Sequence, residues 1–88
     1  MSPELSLEKT LPHSADAERA VLGAILLDND ILDQAAEMLK SEDFYVEGHR
    51  RIFSTMLGLA TASRAIDSLT LREELERSGS LEMVGGVV

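Results

Sequence analysis

Apolar residues recur at helical spacing in four segments of this chain, and no stretch alternates polar and apolar residues as a half-buried strand would. Val21 and Ile25 lie four residues apart in the first segment, as do Leu71 and Leu75 in the last. The chain has 88 residues and no cysteine, so one small domain must be held together by packing of helices. The sequence therefore predicts an all-α fold, a small globular bundle of four main helices plus a short fifth.

Helix-start signals indicate where the predicted helices begin. Ser14 is the expected N-cap of the first helix, and Asp30 is the expected N-cap of the second. The third helix is predicted over residues 47–62. Thr70 followed by Glu73 matches the capping box and predicts the start of the fourth helix.

Two glycines carry separate expectations. Gly23 lies inside the first predicted helix, where glycine costs about 1 kcal/mol relative to alanine. We expect close approach of a neighbouring helix to compensate for this cost. Gly79 follows the fourth predicted helix and is expected to end it, as glycine does just past a helix C-terminus.

The predicted core is mostly aliphatic, because the chain contains only one tyrosine, two phenylalanines and no tryptophan. We expect residues 1–12 to form a flexible N-terminal lead and residues 13–88 to form the helical unit. The predicted core residues are Val21, Ile25, Leu32, Leu39, Phe44, Phe53, Met56, Leu57, Leu71 and Leu75.

The charge balance constrains the partners of the chain. Sixteen acidic residues against eight basic ones give a formal net charge of -8, which repels nucleic-acid phosphates and favours basic partners. Asp16 and Glu18, in the first turn of the first predicted helix, are candidate contacts for such a partner. The alternative interpretation is that they complement the positive end of the helix dipole.

We find no motif for catalysis or cofactor binding. The two lysines, Lys9 and Lys40, do not follow glycines as in a phosphate-binding loop, and His13 and His49 lack the spacing of paired metal ligands. No catalytic, cofactor or metal site is therefore predicted. The longest apolar run, residues 20–27, is shorter than the roughly 20 residues of a membrane span.

The tripeptide Asp67-Ser68-Leu69 raises a different possibility. It is the sequence that carries the phosphopantetheine arm in acyl carrier proteins, which are also short, helical and acidic. One alternative function is therefore a carrier modified at Ser68. A generic helical adaptor is a second alternative. The tripeptide also reads as the entrance to the fourth helix, which requires no modification.

Three blocks of sequence, taken together and in order, resemble a known family. They are "LPHSADAERAVLGAILLDND", "EDFYVEGHRRIF" and "AIDSLTLREELERSGSLEMVGG". Residues 11–87 resemble the N-terminal domain of bacterial replicative DNA helicases of the DnaB family. The part that matches is the globular head of that domain, without the helical hairpin that follows the head in the family.

This resemblance implies a function for the parent chain. Helicases of this family form hexameric rings, and a motor domain of the RecA type uses ATP and Mg to unwind duplex DNA at the replication fork. The N-terminal domains form a collar that receives primase and assists subunit assembly. The resemblance thus implies a non-catalytic, cytoplasmic collar domain whose partners are primase and other helicase subunits. DNA, ATP and Mg would bind only the motor domain, and no membrane would be involved.

Overall fold

The computed structural model of the chain describes residues 14–82. This part contains α-helices and no β-strand, which confirms the all-α prediction. A 3-10 turn, Ser41–Asp43, lies between the second and third helices. The predicted lead over residues 1–12 and the end of the predicted helical unit lie outside the described residues. The four helices are α1 (Ala15–Leu27), α2 (Asp30–Met38), α3 (Glu47–Thr61) and α4 (Ser68–Arg77).

The third helix is the centre of the packing. α3 contacts α1, α4 and the 3-10 turn, and α1 also contacts α2. Phe53 and Met56 of α3 are completely buried, as is Ile25 of α1. The ring of Phe44, which follows the 3-10 turn, lies 5.0 Å from the ring of Phe53 at a tilt of 36°. This is a favourable arrangement for two aromatic rings and joins the turn to the core.

Most of the predicted core is confirmed. Val21, Leu39 and Leu57 are only partly buried and pack against the core. For Val21 the error concerns two adjacent positions, because the wide apolar stripe of α1 does not reveal whether Val21 or Leu22 points inward. The predicted residues found buried are Ile25, Leu32, Phe44, Phe53, Met56, Leu71 and Leu75. The buried hydrophobic side chains that were not predicted are Leu22, Ala35, Leu59 and Ile66.

The observed caps agree with the sequence at α1 and differ at α2 and α4. The Ser14 hydroxyl accepts a hydrogen bond from the Ala17 amide at 3.2 Å, as expected of an N-cap. The prediction that Asp30 caps α2 is wrong, because Asp30 is the first helical residue and Asn29 precedes it. The Asn29 side chain makes no capping hydrogen bond and instead donates to the carbonyl oxygen of Ile66.

The capping box of α4 begins one turn earlier than predicted. Asp67, not Thr70, is the N-cap, and its carboxylate accepts a hydrogen bond from the Thr70 amide at 2.8 Å. The Asp67 amide donates in return to the Thr70 hydroxyl at 3.0 Å. Thr70 therefore takes the part expected of Glu73, and Ser68 is the first residue of the helix. The start of α4 was predicted three residues too late because Asp67 and Thr70 both have side chains that can cap a helix.

Asn29 joins two connections that are far apart in sequence. Its side-chain amide nitrogen donates to the carbonyl oxygens of Ile25 and Ile66, both at 2.9 Å. Its side-chain oxygen accepts from the Ile66 amide at 2.8 Å. The turn between α1 and α2 is thereby attached to the segment that precedes α4.

We expect Asn29→Ala to reduce the free energy of unfolding by about 1–3 kcal/mol, because the backbone groups of the buried residue Ile66 lose their partners. Urea denaturation followed by circular dichroism measures this loss. Gln34→Ala removes an exposed amide from α2 and is expected to cost less than about 0.5 kcal/mol. Equal midpoints for the two variants would show that the Asn29 contact does not stabilise the fold.

The two glycines differ in their surroundings. A Cβ atom built at Gly23 meets no atom within 4 Å in the described part of the chain, so the predicted close approach of a neighbouring helix is wrong there. Gly79 ends α4 as predicted. Its φ angle of 75° is in the left-handed region, and the Ser80 amide donates back to the Leu75 carbonyl at 2.8 Å.

The same substitution is therefore expected to have opposite effects at these glycines. Gly23→Ala should stabilise the chain by about 1 kcal/mol, because alanine favours the helix and has free space. Gly79→Ala should destabilise it by about 1 kcal/mol, because a Cβ atom is strained at positive φ. Melting temperatures of both variants beside the natural chain provide the measurement. A lower melting temperature for Gly23→Ala would contradict the open space at that position.

No helix within residues 14–82 combines the length and apolar character that crossing a membrane requires.

Candidate functional site

The two acidic residues in the first turn of α1 have different surroundings. Asp16 lies on the surface, with 93% of its side chain exposed, and pairs with the exposed Arg19 at 3.0 Å. An exposed pair of this kind contributes roughly 0–1 kcal/mol, so it leaves the carboxylate available at little cost. Asp16 therefore presents negative charge to any molecule that approaches the start of α1.

Glu18 is turned inward and binds the entrance of α3. Only 13% of its side chain is exposed. Its carboxylate accepts hydrogen bonds from the Tyr45 amide at 2.6 Å and the Val46 amide at 3.3 Å. Nδ1 of His49 lies 2.7 Å from the same carboxylate. These four residues, the Glu18 cluster, fasten the first turn of α1 to the start of α3.

The environment of Glu18 changes its acidity. Burial of the carboxylate raises its pKa, but hydrogen bonds from the Tyr45 amide, the His49 ring and the Val46 amide lower it, as does the charge of His49. The net result is a pKa below the ordinary value of 4.5. Glu18 is consequently ionised at neutral pH and places a negative charge at the positive N-terminal end of α3.

His49 is a residue whose role the sequence did not indicate. A lone histidine in a helix, without the spacing of paired metal ligands, is expected on the helix surface. Only 13% of the His49 side chain is exposed, however, and its partner is Glu18. The two residues are 31 positions apart, so no local spacing could have paired them.

Arg50 holds the same segment from the other side. Its Nε donates to the Phe44 carbonyl oxygen at 2.6 Å, and its guanidinium lies 3.5 Å from the Glu47 carboxylate. The segment between the 3-10 turn and α3 is thus bound by Glu18 and by Arg50, while Phe44 enters the core. This arrangement fixes the orientation of α1, and with it the position of Asp16 on the surface.

The remaining candidate positions have structural roles or no cluster around them. Within residues 14–82, no group of three or more histidine, aspartate or glutamate side chains is arranged to hold a metal ion. Ser68 is exposed at the start of α4, and the neighbouring Asp67 carboxylate is engaged as the helix cap. The capping role accounts for the tripeptide Asp67-Ser68-Leu69. The proposed partner contact at Asp16 and Glu18 stays a prediction.

Comparison with known proteins identifies a family over most of the chain. The family model described as "DnaB-like helicase N terminal domain" matches residues 10–88. The match includes the first turn of α1 and the whole Glu18 cluster.

Several curated proteins are similar to this chain. A "Replicative DNA helicase DnaB" of Geobacillus stearothermophilus is 45% identical over 84 residues, which cover 96% of this chain and 18% of that protein. The protein of the same name from Treponema pallidum is 44% identical over 78 residues, covering 89% of this chain and 18% of that protein. The chain thus spans less than a fifth of the length of these relatives.

A solved structure has the same fold. The crystal structure of the N-terminal domain of DnaB helicase from Mycobacterium tuberculosis superimposes with a TM-score of 0.83 and 35% identity. The superposition covers 85% of this chain and 54% of that domain. This chain therefore has the same helical arrangement as that domain and spans about half of its length.

Proposed function

Because the chain belongs to the family of DnaB-like helicase N-terminal domains, we propose that it is the collar part of a hexameric, ATP-dependent replicative DNA helicase. In this proposal the chain takes no catalytic step. ATP and Mg bind the motor domain of the parent protein, which also contacts the DNA and unwinds it in the cytoplasm. The similarity to replicative helicases in two bacteria supports the proposal, and a net charge of -8 suits a part that does not bind nucleic acid.

The same family membership bears on the two alternative functions. A carrier modified at Ser68 and a generic adaptor both rested on the short, acidic, helical character of the chain. The carrier interpretation also rested on the tripeptide beginning at Asp67, whose carboxylate caps α4. Every observation that favours either alternative is also explained by the helicase collar.

The partners in this proposal are primase and other helicase subunits. The observation that carries the primase contact is the exposed carboxylate of Asp16 at the start of α1, on a chain with an excess of acidic residues. A basic surface of primase is complementary to it. Glu18 contributes differently, because its carboxylate is occupied within the chain: it holds α1 against α3 and so positions Asp16.

Charge reversal at Asp16 tests the contact. We expect Asp16→Lys to weaken binding of the chain to primase from the same organism by about tenfold at low salt, and by less as salt screens the charge. Isothermal titration calorimetry at two ionic strengths measures both effects. Asp33→Lys makes the same change at an exposed position in the first turn of α2 and is the matched control. An equal loss in both variants, or no loss in either, would refute a specific contact at Asp16.

A further inference from the structure

The two halves of α1 are held in different ways. The buried residues of this helix, Leu22 and Ile25, are both in its second half, whereas residues 15–21 are exposed or partly buried. Val21 packs against the core from the first half, but it is only partly buried. The side-chain hydrogen bonds found between the first half and another element come from Glu18. The start of α1 therefore gains little from the hydrophobic core and depends on the Glu18 carboxylate for its position.

The entrance of α3 also depends on Glu18. Val46 is the N-cap of this helix, and valine has no polar side chain with which to cap it. Tyr45 and Glu47, on either side of Val46, are exposed. The Glu18 carboxylate accepts from the Tyr45 and Val46 amides at 2.6 and 3.3 Å and places negative charge at the positive end of the helix. A residue of α1 thus supplies the polar group that the sequence of α3 lacks at its own N-cap.

Loss of the Glu18 contacts would expose the two helix starts to water without opening the core. Residues 45–47 lie between Phe44 and Gly48, which are both buried. The amides released from the carboxylate can bond to water, because residues 45 and 46 are exposed and partly buried. Phe53 is completely buried farther along α3. Segments with few buried apolar contacts and accessible backbone hydrogen bonds open locally at a lower free energy than the core does.

We propose that the Glu18 cluster is a conformational latch: the first turns of α1 and α3 open and close together while the core stays packed, and a basic partner bound at Asp16 holds them closed. Opening means that the backbone hydrogen bonds of both first turns are broken. Asp16 is in the same helical turn as Glu18, so opening displaces its carboxylate. A partner that recognises Asp16 in its closed position therefore favours closing, and closing favours binding. The latch is a property of this chain alone, whereas its regulation rests on the proposed contact at Asp16.

Exchange of backbone amides with water, measured by NMR on the isotope-labelled 88-residue chain, tests the latch without a partner. The reporters are two amides that do not bond to the Glu18 carboxylate. The Ala20 amide closes the first turn of α1, and the Arg50 amide closes the first turn of α3 by donating to the Val46 carbonyl oxygen at 3.1 Å. After correction for intrinsic rates, we expect both to exchange at least about tenfold faster than the amide of the completely buried Phe53.

Three substitutions separate the latch from the loss of individual hydrogen bonds. Glu18→Gln should raise the exchange rates of the Ala20 and Arg50 amides by the same factor, about tenfold, because both helix starts lose a charged acceptor at once. His49→Ala removes a donor on α3 and should nevertheless speed exchange of the Ala20 amide on α1 by about threefold. Asn29→Ala is the matched control. It removes the acceptor of a backbone amide beyond the other end of α1 and should change both reporters by less than about twofold.

Primase from the same organism tests the regulation of the latch. With primase at about ten times its dissociation constant, exchange of the Ala20 and Arg50 amides should slow about tenfold, because the closed arrangement binds and the open one does not. Asp16→Lys at the same primase concentration should lose most of this slowing, because the variant binds primase more weakly. Since the reporters lie on two helices, slowing of both would show that a contact on α1 also closes the start of α3.

Different results would overturn the latch, its regulation and the proposed contact. If the corrected exchange rates of the Ala20, Arg50 and Phe53 amides are equal in the natural chain, or if Glu18→Gln changes the two reporters unequally, the helix starts do not open as one unit. If Asp16→Lys weakens primase binding but bound primase does not slow exchange in the natural chain, the regulation is wrong and the proposed contact stands. If Asp16→Lys alters neither the binding nor the slowing, the proposed contact at Asp16 is wrong.

Discussion

Phe53→Ala is expected to reduce the free energy of unfolding by about 3–5 kcal/mol. Phe53 is completely buried on α3, the helix that contacts α1 and α4, and its ring packs against that of Phe44. Truncation removes the contacts of a completely buried ring and leaves a cavity in the core. Small domains have total stabilities near the low end of about 5–15 kcal/mol, so the variant should be largely unfolded at 37 °C.

Thermal and urea denaturation, followed by circular dichroism, measure this effect. Leu69→Ala is the control, because it also truncates a large apolar side chain, but one that is 62% exposed at the start of α4. We expect it to cost less than about 0.5 kcal/mol. If Phe53→Ala melts within a few degrees of the Leu69→Ala variant, the core does not lie where the structure places it.

Glu18→Gln is expected to cost about 1.5–3 kcal/mol at neutral pH. The carboxylate accepts hydrogen bonds from two backbone amides and contacts the His49 ring, and bonds to a charged acceptor are worth more than bonds to a neutral one. Glutamine removes the charge and turns a donor toward one of these groups. Urea denaturation at pH 7 provides the value.

The cost of Glu18→Gln should depend on pH with a defined sign. The pKa of Glu18 is lowered below 4.5 in the folded chain, so ionised Glu18 favours the folded state. This stabilisation is complete above the unfolded pKa and is lost as the pH falls through the folded pKa. The difference in stability between the natural chain and the variant should therefore be present at neutral pH and shrink as the pH falls below about 4.5.

Asp16→Asn is the matched control for this experiment. It removes one carboxylate charge from the same helical turn, but at a side chain that is 93% exposed. We expect a change below about 0.5 kcal/mol with little dependence on pH. A Glu18→Gln variant that behaves like Asp16→Asn at every pH would show that the Glu18 cluster does not fasten α1 to α3.

Local signals in the sequence account for much of the fold. The Ser14 cap and the Gly79 stop were both predicted, because each acts on backbone groups within one helical turn. The start of α4 was misplaced because Asp67 and Thr70 both have capping side chains, and local chemistry does not rank them. Helix existence was thus more predictable than helix boundaries.

The sequence by itself determined the all-α class, the presence of the four helices, most core positions and the resemblance to the helicase family. The tertiary structure alone decided which polar groups meet. Glu18 and His49 are 31 positions apart, and Asn29 and Ile66 are 37 positions apart. Such pairs depend on the angles between helices, which the packing around Phe53 sets and which residue spacing does not encode. Asp16 and Glu18 illustrate the same point. Both are acidic residues in the first turn of α1, and the sequence does not distinguish them. Packing against α3 covers the side of the helix with Glu18 and leaves Asp16 exposed.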